Sequence, residues 1–239
     1  EPVLQKDGGS IYYINLSQDN YKLGGTSFAQ ILNTIGTEVP TIKDSKFFKN
    51  AFNVIQELIL ENEIIAGHDI GSGGLITTLL EMCFSPLTPE GGTNKMEEAG
   101  MKISFDSFEE KDLIKILFSE NIGIVFQAKN DAVVESKLSN NGIEFFKIGS
   151  VTNTGTLDLG HLTLDIPKYR DIWYNTSFLL DQKQSKNRMA QARFENYKKQ
   201  PLNYTFPTHF TGKKPVIDAS KPPPKAAIIR EKGSNSERE

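Results

Sequence analysis

The sequence predicts an α+β domain built in α/β layers, a sheet flanked by helices. Three observations predict it. Short runs of strand formers alternate with helix-period segments over residues 11–166, glycine-rich turns join several of them, and the alternation stops after Asp165. Each such element has one apolar face to bury, and helices laid on a sheet bury both kinds at once.

Ile11-Tyr-Tyr-Ile-Asn-Leu16 is a strand, bounded by Gly8-Gly9 and Asp19-Asn20. Gly24-Gly25 opens a helix from Thr26 to Ile35, which Gly36 ends. Asp44 or Ser45 caps the next helix, whose core face carries Phe47, Phe48, Ala51, Ile55, Leu58 and Ile59. Ile64–Ile70 is a strand that runs through Gly71-Ser72-Gly73-Gly74 into an apolar helix, Leu75–Phe84. Residues 85–100, with two prolines and three glycines, form a loop. Met101–Phe105 is a strand, and Ser107 with Glu110 three residues on predicts a capped helix to Phe118.

Ile122–Ala128 is a strand, Asn130–Asn140 a helix ended by Gly142, and Ile143–Val151 another strand. Thr156–Ile166 reads as one last strand, paired with Ile143–Val151 through a turn at 152–155. Lys102–Val151 thus resembles a split βαβ unit. Pro167 to about Asn196 is helical, residues 197–224 have the proline content of a linker, and Lys225–Arg230 starts a fresh strand. The chain begins without Met and stops in a charge run, so it reads as part of something larger.

Composition narrows the function classes. A single cysteine, Cys83, allows neither an internal disulfide nor a cysteine zinc site, and its apolar helix marks it as an inert core thiol. Lys and Arg number 27 against 30 Asp and Glu, a formal charge of −3, so nucleic acid and membrane surfaces are not expected partners. No apolar run approaches the roughly 18 residues of a membrane span. A soluble protein of a reducing compartment, the cytoplasm, is expected.

The strongest chemical feature is Ala66-Gly-His-Asp-Ile-Gly-Ser-Gly-Gly-Leu75. A strand end, a glycine turn and a helix start gather backbone N–H groups at one spot, which suits a phosphate. Asp69 at its mouth adds a hard oxygen ligand of the kind Mg²⁺ takes when it bridges phosphates. The alternative is that the glycines only allow a tight turn and that Asp69 caps the helix. His68 is of the residue type that serves as a general acid or base, yet one histidine beside an apolar strand is commonly a packed structural residue. His68, His161 and His209 have no metal-ligand spacing. Leu23-Gly-Gly-Thr-Ser27 is a second glycine-to-helix junction that either faces the same cleft or is a simple capped turn.

Taken together, Leu23–Gln30, Ile64–Leu75 with Leu79-Leu-Glu-Met82, Tyr169-Arg-Asp-Ile-Trp173 and Lys225–Glu237 resemble the phosphoribosylformylglycinamidine synthase family in its large single-chain form. The resemblance implies three parts: residues 1–166 as an AIR-synthetase-like C-terminal domain, partly ferredoxin-like, 167–224 as a linker, and 225–239 as the start of a glutamine amidotransferase domain. It implies an ATP- and glutamine-dependent ligase of purine biosynthesis, in which ATP activates an amide oxygen and ammonia then displaces phosphate. The cofactors implied are Mg²⁺ and ATP or ADP; the partners are the nucleotide and the remaining domains of one polypeptide.

Carried over by position, Asp69 is the metal ligand and Gly71, Ser72 and Gly73 bind the nucleotide, with no catalytic residue in this stretch and an isolated piece that is inactive. The family pattern His-Asp-Arg-Ser-Asp-Gly-Gly departs here to Ile70-Gly71-Ser72, which shifts the hydroxyl by one place and leaves the backbone donors as the binding groups. Asp69 serves either the catalytic or an auxiliary nucleotide site. A domain of another ATP-using relative, or a non-catalytic interaction domain, stays open beside this reading.

Overall fold

In a computed structural model of the chain, the described residues are 3–87, 97–186, 188–198 and 205–210. The chain divides into two compact units, residues 1–195 and 196–239. In the second unit, the described residues include a short turn in which Phe206 and Phe210 stack at 4.8 Å. The strand expected at 225–230, and the amidotransferase start expected at 225–239, lie outside the described residues.

The first unit is a seven-stranded sheet in the order β2-β4-β1-β5-β3-β6-β7. Within it lies β1 (Ile11–Asn15), an interior strand flanked antiparallel by β4 (Gly123–Ala128) and β5 (Phe146–Thr152). The unbroken run Ile11-Tyr12-Tyr13-Ile14 fits this place, since all four side chains are buried and they alternate between two cores. On one face Tyr12, Ile14 and Phe126 meet Ala51, Val54, Ile55 and Leu58 of α2 (Ser45–Leu60) and Val134 and Leu138 of α5 (Asp131–Asn140). On the other, Ile11, Tyr13 and Val125 meet Leu75, Leu79 and Met82 of α3 (Gly74–Met82) and Ile116 and Leu117 of α4 (Leu113–Phe118). The result is helix, sheet, helix.

Four of the strands carry a ferredoxin-like pattern. β2 (Ile64–Asp69) pairs antiparallel with β4, so β1-α2-β2 and β4-α5-β5 are each parallel pairs with a third strand between them. The split βαβ unit is therefore divided by β1, from the start of the chain, and not by a strand within 102–151. β3 (Gly100–Ile103) lies on the far side of β5.

Three other expectations are corrected. β6 (Thr156–Asp158) is not the hairpin partner of β5: β3 sits between them and pairs parallel with β6. The expected strand over 156–166 is two short ones, because the chain turns at Gly160 (φ 85°) and returns as β7 (Thr163–Asp165). The helix expected from Ser107 starts only at Leu113. Phe108 is buried in a ring cluster with Tyr13, Phe105 and Phe146, which draws residues 107–112 off a helical path, and Asp112 caps in place of Ser107.

The first short helix is also briefer than expected, α1 (Ser27–Ile31), with Asn33 at φ 55° beyond it. The helix expected over 167–196 is two, α6 (Ile166–Gln184) and α7 (Met189–Asn196). Phe194 folds back to stack on Phe178 at 4.6 Å, and Arg193 Nε donates to Asp181 at 2.7 Å, both of which require the break after Gln184. No helix among the described residues is long and apolar enough to cross a membrane.

Candidate functional site: a strand–turn–helix junction

β2 is an edge strand, bonded along one side to β4, and its register places Asp69 opposite Ile124. Ile64 and Ala66 are buried while Asp69, at the strand's end, has a side chain 88% exposed. Sequence alternation thus delivers a solvent-facing carboxylate to the mouth of the turn, its Oδ1 3.5 Å from His68 Nδ1. Ile70 N–H still donates to Gly123 O, so the turn proper begins at Gly71.

The turn closes through Gly74 N–H to Gly71 O at 3.1 Å, with Gly73 at φ 90° and Gly74 at φ 75°. Those two left-handed residues let the chain reverse straight into α3, which has no side-chain N-cap. Asp69 does not cap it. Gly73 N–H is committed instead to Glu120 Oε1 at 2.7 Å. Among the described residues the N–H groups of Gly71 and Ser72 make no hydrogen bond, and space beside Gly71 is open for 4 Å. Two adjacent backbone donors at a helix start, beside an exposed carboxylate, suit a phosphate carried with a divalent cation.

Leu23–Ser27 is the capped turn its sequence allowed, and it shares one hydrogen-bond partner with the Gly71–Gly74 turn. Thr26 caps α1, its side chain accepting from Ala29 N–H, and Ser27 N–H donates at 2.8 Å to the same Glu120 Oε1 that holds Gly73. Nothing local in Phe118-Ser-Glu-Asn-Ile-Gly123 marks Glu120, whose partners are 47 and 93 residues away.

His68 faces the other flank. Its Nε2 lies 3.2 Å from Glu81 Oε2 on α3, and Nδ1 lies 2.7 Å from Asp69 O. Trp173 Nε1 of α6 donates to the other oxygen of Glu81 at 2.9 Å, and Thr78 Oγ1 donates to Asp69 O at 3.1 Å. These bonds fix the backbone of Asp69 and leave its carboxylate in solvent. Cys83 is fully buried and burial pushes its thiol up to about 12, so it has no part in the site.

The donors limit which metals this junction could take. Among the described residues no group of three or more His, Cys, Asp or Glu side chains could hold a metal ion. A cage for a tightly held ion is absent there, whereas one exposed carboxylate is enough for Mg²⁺, which keeps its waters and draws further ligands from phosphate oxygens.

Comparison with known proteins agrees with this architecture. Residues 6–161 match the family described as AIR synthase related protein, C-terminal domain. A protein named probable phosphoribosylformylglycinamidine synthase, chloroplastic/mitochondrial, from Arabidopsis thaliana is 34% identical over 99% of this chain. The phosphoribosylformylglycinamidine synthase of Homo sapiens is 28% identical over 97% of it. The chain spans 16% and 17% of the lengths of these two relatives. Among solved structures, T. maritima PurL complexed with FGAR shares the fold at a TM-score of 0.51 and 14% identity, over 70% of this chain and 29% of that one. The family match takes in most of the chain, including β1 to β6 and the Asp69–Gly74 junction, and the chain belongs to the AIR synthase related protein C-terminal domain family.

Proposed function

We propose that this chain is the region of a phosphoribosylformylglycinamidine synthase that supplies one wall of a Mg-nucleotide site. In this reading residues 1–166 are the AIR-synthetase-like C-terminal domain, 167–224 a linker and 225–239 the start of a glutamine amidotransferase domain of the same polypeptide. The parent enzyme converts formylglycinamide ribonucleotide to formylglycinamidine ribonucleotide with ATP and glutamine, in the cytoplasm. The part described here binds and orients and carries no catalytic residue.

One observation carries the reading: the exposed Asp69 carboxylate stands beside two free N–H groups at the start of α3, in a chain whose named relatives align over nearly its whole length. The backbone donors of Gly71 and Ser72 bind phosphate oxygens, and Gly73 shapes the turn. Asp69 would be the residue to hold Mg²⁺, which when bound would supply charge neutralisation for the phosphates. Because direction comes from backbone groups, the site tolerates the shift of the serine hydroxyl to Ser72.

Mg-ADP added to the 239-residue protein is expected to raise its melting temperature. Saturation a hundredfold above Kd stabilises by about 2.7 kcal/mol, or roughly 5–10 °C for a domain of this size. Asp69→Ala should remove most of that shift. A wild type indifferent to Mg-ADP, or a variant that shifts equally, refutes the reading.

A further inference from the structure

Glu120 sits where a bound anion would sit, with one carboxylate oxygen at the starts of two helices. Oε1 accepts from Gly73 N–H at 2.7 Å and from Ser27 N–H at 2.8 Å. Two roles fit such a geometry. A plug would occupy the anion seat until a ligand displaced it; a clamp would stay in place and leave the ligand the remaining donors.

The surroundings of Glu120 favour the clamp. Its neighbours Ser119 and Asn121 are 3% and 1% exposed, and the Ser119 hydroxyl bonds the Asn121 side-chain oxygen. Asn121 Nδ2 donates to Ser17 Oγ at 2.9 Å and to the carbonyls of Asp19 and Asn20 at 3.2 Å each. The backbone on both sides of Glu120 is therefore pinned by buried polar groups, which are expensive to unpair. On its α4 side, Leu117 O and Ser119 O come so close to Gly74 that a Cβ there would lie 2.7 and 2.8 Å from them. With its backbone held in this way, the carboxylate is kept at the junction by its bonds to Gly73 and Ser27 N–H. Two donors, those of Gly71 and Ser72, remain next to it.

We propose that Glu120 is a positioning residue of the Gly71–Gly73 turn, a fixed clamp that joins the Leu23–Ser27 turn to it as one wall and directs an incoming phosphate to the Gly71 and Ser72 donors. The proposal rests on the nucleotide reading for the identity of that phosphate, and not for the clamp itself.

The test uses the whole 239-residue protein as wild type, Glu120→Gln and Glu120→Ala, with two readouts. Site-resolved amide exchange at Ser27 and Gly73 is referenced to core amides of Ile14 and Phe126. Calorimetric titration with Mg-ADP gives Kd. Loss of a charge-assisted acceptor is expected to speed exchange at Ser27 and Gly73 together, by about ten- to a hundredfold in Glu120→Ala, with the core amides unmoved. Mg-ADP affinity is expected to fall by about tenfold in Glu120→Ala, with partial recovery in Glu120→Gln, which keeps an oxygen acceptor.

Exchange that rises at one turn alone, or equally at the core, overturns the clamp. So does an affinity that is unchanged or tightened, a tightening being the signature of a plug. If wild type ignores Mg-ADP while both turn amides still respond together to Glu120→Ala, the nucleotide reading fails and the clamp stands.

Discussion

Gly74 offers a way to separate two effects that usually arrive together. It has φ 75°, and a Cβ built on it would lie 2.7 Å from Leu117 O, 2.8 Å from Phe118 C and 2.8 Å from Ser119 O. Two other glycines supply the controls. Gly142 has φ 65° with nothing within 4 Å of the added Cβ, and Gly71 has neither a positive φ nor a neighbour. An alanine forced into the left-handed region costs about 1–2 kcal/mol, while the loss of unfolded-state freedom returns about 0.4–1. Gly142→Ala should therefore lower stability by about 0.5–1 kcal/mol, and Gly71→Ala should be neutral or stabilising by a few tenths. At Gly74 the three contacts are all backbone, which cannot rotate away. Overpacking of that kind adds about 1–3 kcal/mol, for a total of about 2–4. Urea melts of the three variants at one pH, with m-values checked for constancy, give the differences directly. A Gly74→Ala loss no larger than that of Gly142→Ala would show that α3 and the end of α4 do not abut as described, and the clamp argument would fall with it.

Two more outcomes follow from buried groups. Burial alone would push the Asp19 carboxyl up, but the ammonium groups of Lys22 at 2.8 Å and Lys43 at 2.7 Å, with Thr41, outweigh it and hold it well below the usual carboxylate range. Asp131, bonded to Lys147 and Ser10, is likewise lowered to about 2 despite its partial burial. A depressed folded-state value gives stability that is complete above the unfolded value near 4 and is lost as pH falls through about 4 toward 2. Asp19→Asn should lose about 2 kcal/mol at pH 7 and show a flatter melting temperature between pH 5 and 2 than wild type; parallel pH curves would count against the pairing. The buried Cys83 thiol, pushed up to about 12, should react with a thiol reagent only as fast as the domain opens, so labelling that saturates in native buffer within seconds would contradict its placement.

The elements legible in the sequence are those whose signal is contiguous. Ile11–Ile14 shows no alternation because it is an interior strand buried on both faces, and its run of strand formers says so. α2 shows most of its core face at helical spacing, but Ile59, expected on that face, is 44% exposed, and Val54 is buried there instead. What sequence spacing did not reveal is what a distant residue decides. Ser107 and Glu110 form a sound capping signature, yet Phe108 gains more from the ring cluster around Tyr13 than a further helical turn would supply, and Asp112 takes over the cap. The turn at 152–155 looks like a hairpin until β3 enters between β5 and β6. Local chemistry permits that turn in either topology, and only the pairing of β3 chooses.

The site divides along the same line. Asp69 and the glycine turn can be placed from sequence because strand, turn and helix follow one another without a gap, and chain continuity alone brings the carboxylate to the helix start. The number of donors left for a ligand cannot be placed so. Three consecutive N–H groups, Gly71 to Gly73, are equivalent in sequence; in the fold one of them is consumed by Glu120, and the same oxygen takes Ser27 from a turn 46 residues upstream. A carboxylate so close to a phosphate seat repels the phosphate it helps to place, and in a partly exposed site solvent screens that repulsion to less than the clamping contributes. In the proposed site a cation held by Asp69 would offset it. In the proposed site the two acidic residues would act as a pair, Glu120 fixing where the phosphate lies and Asp69 making that position electrostatically tolerable, so an anion offered without a divalent cation should bind there poorly.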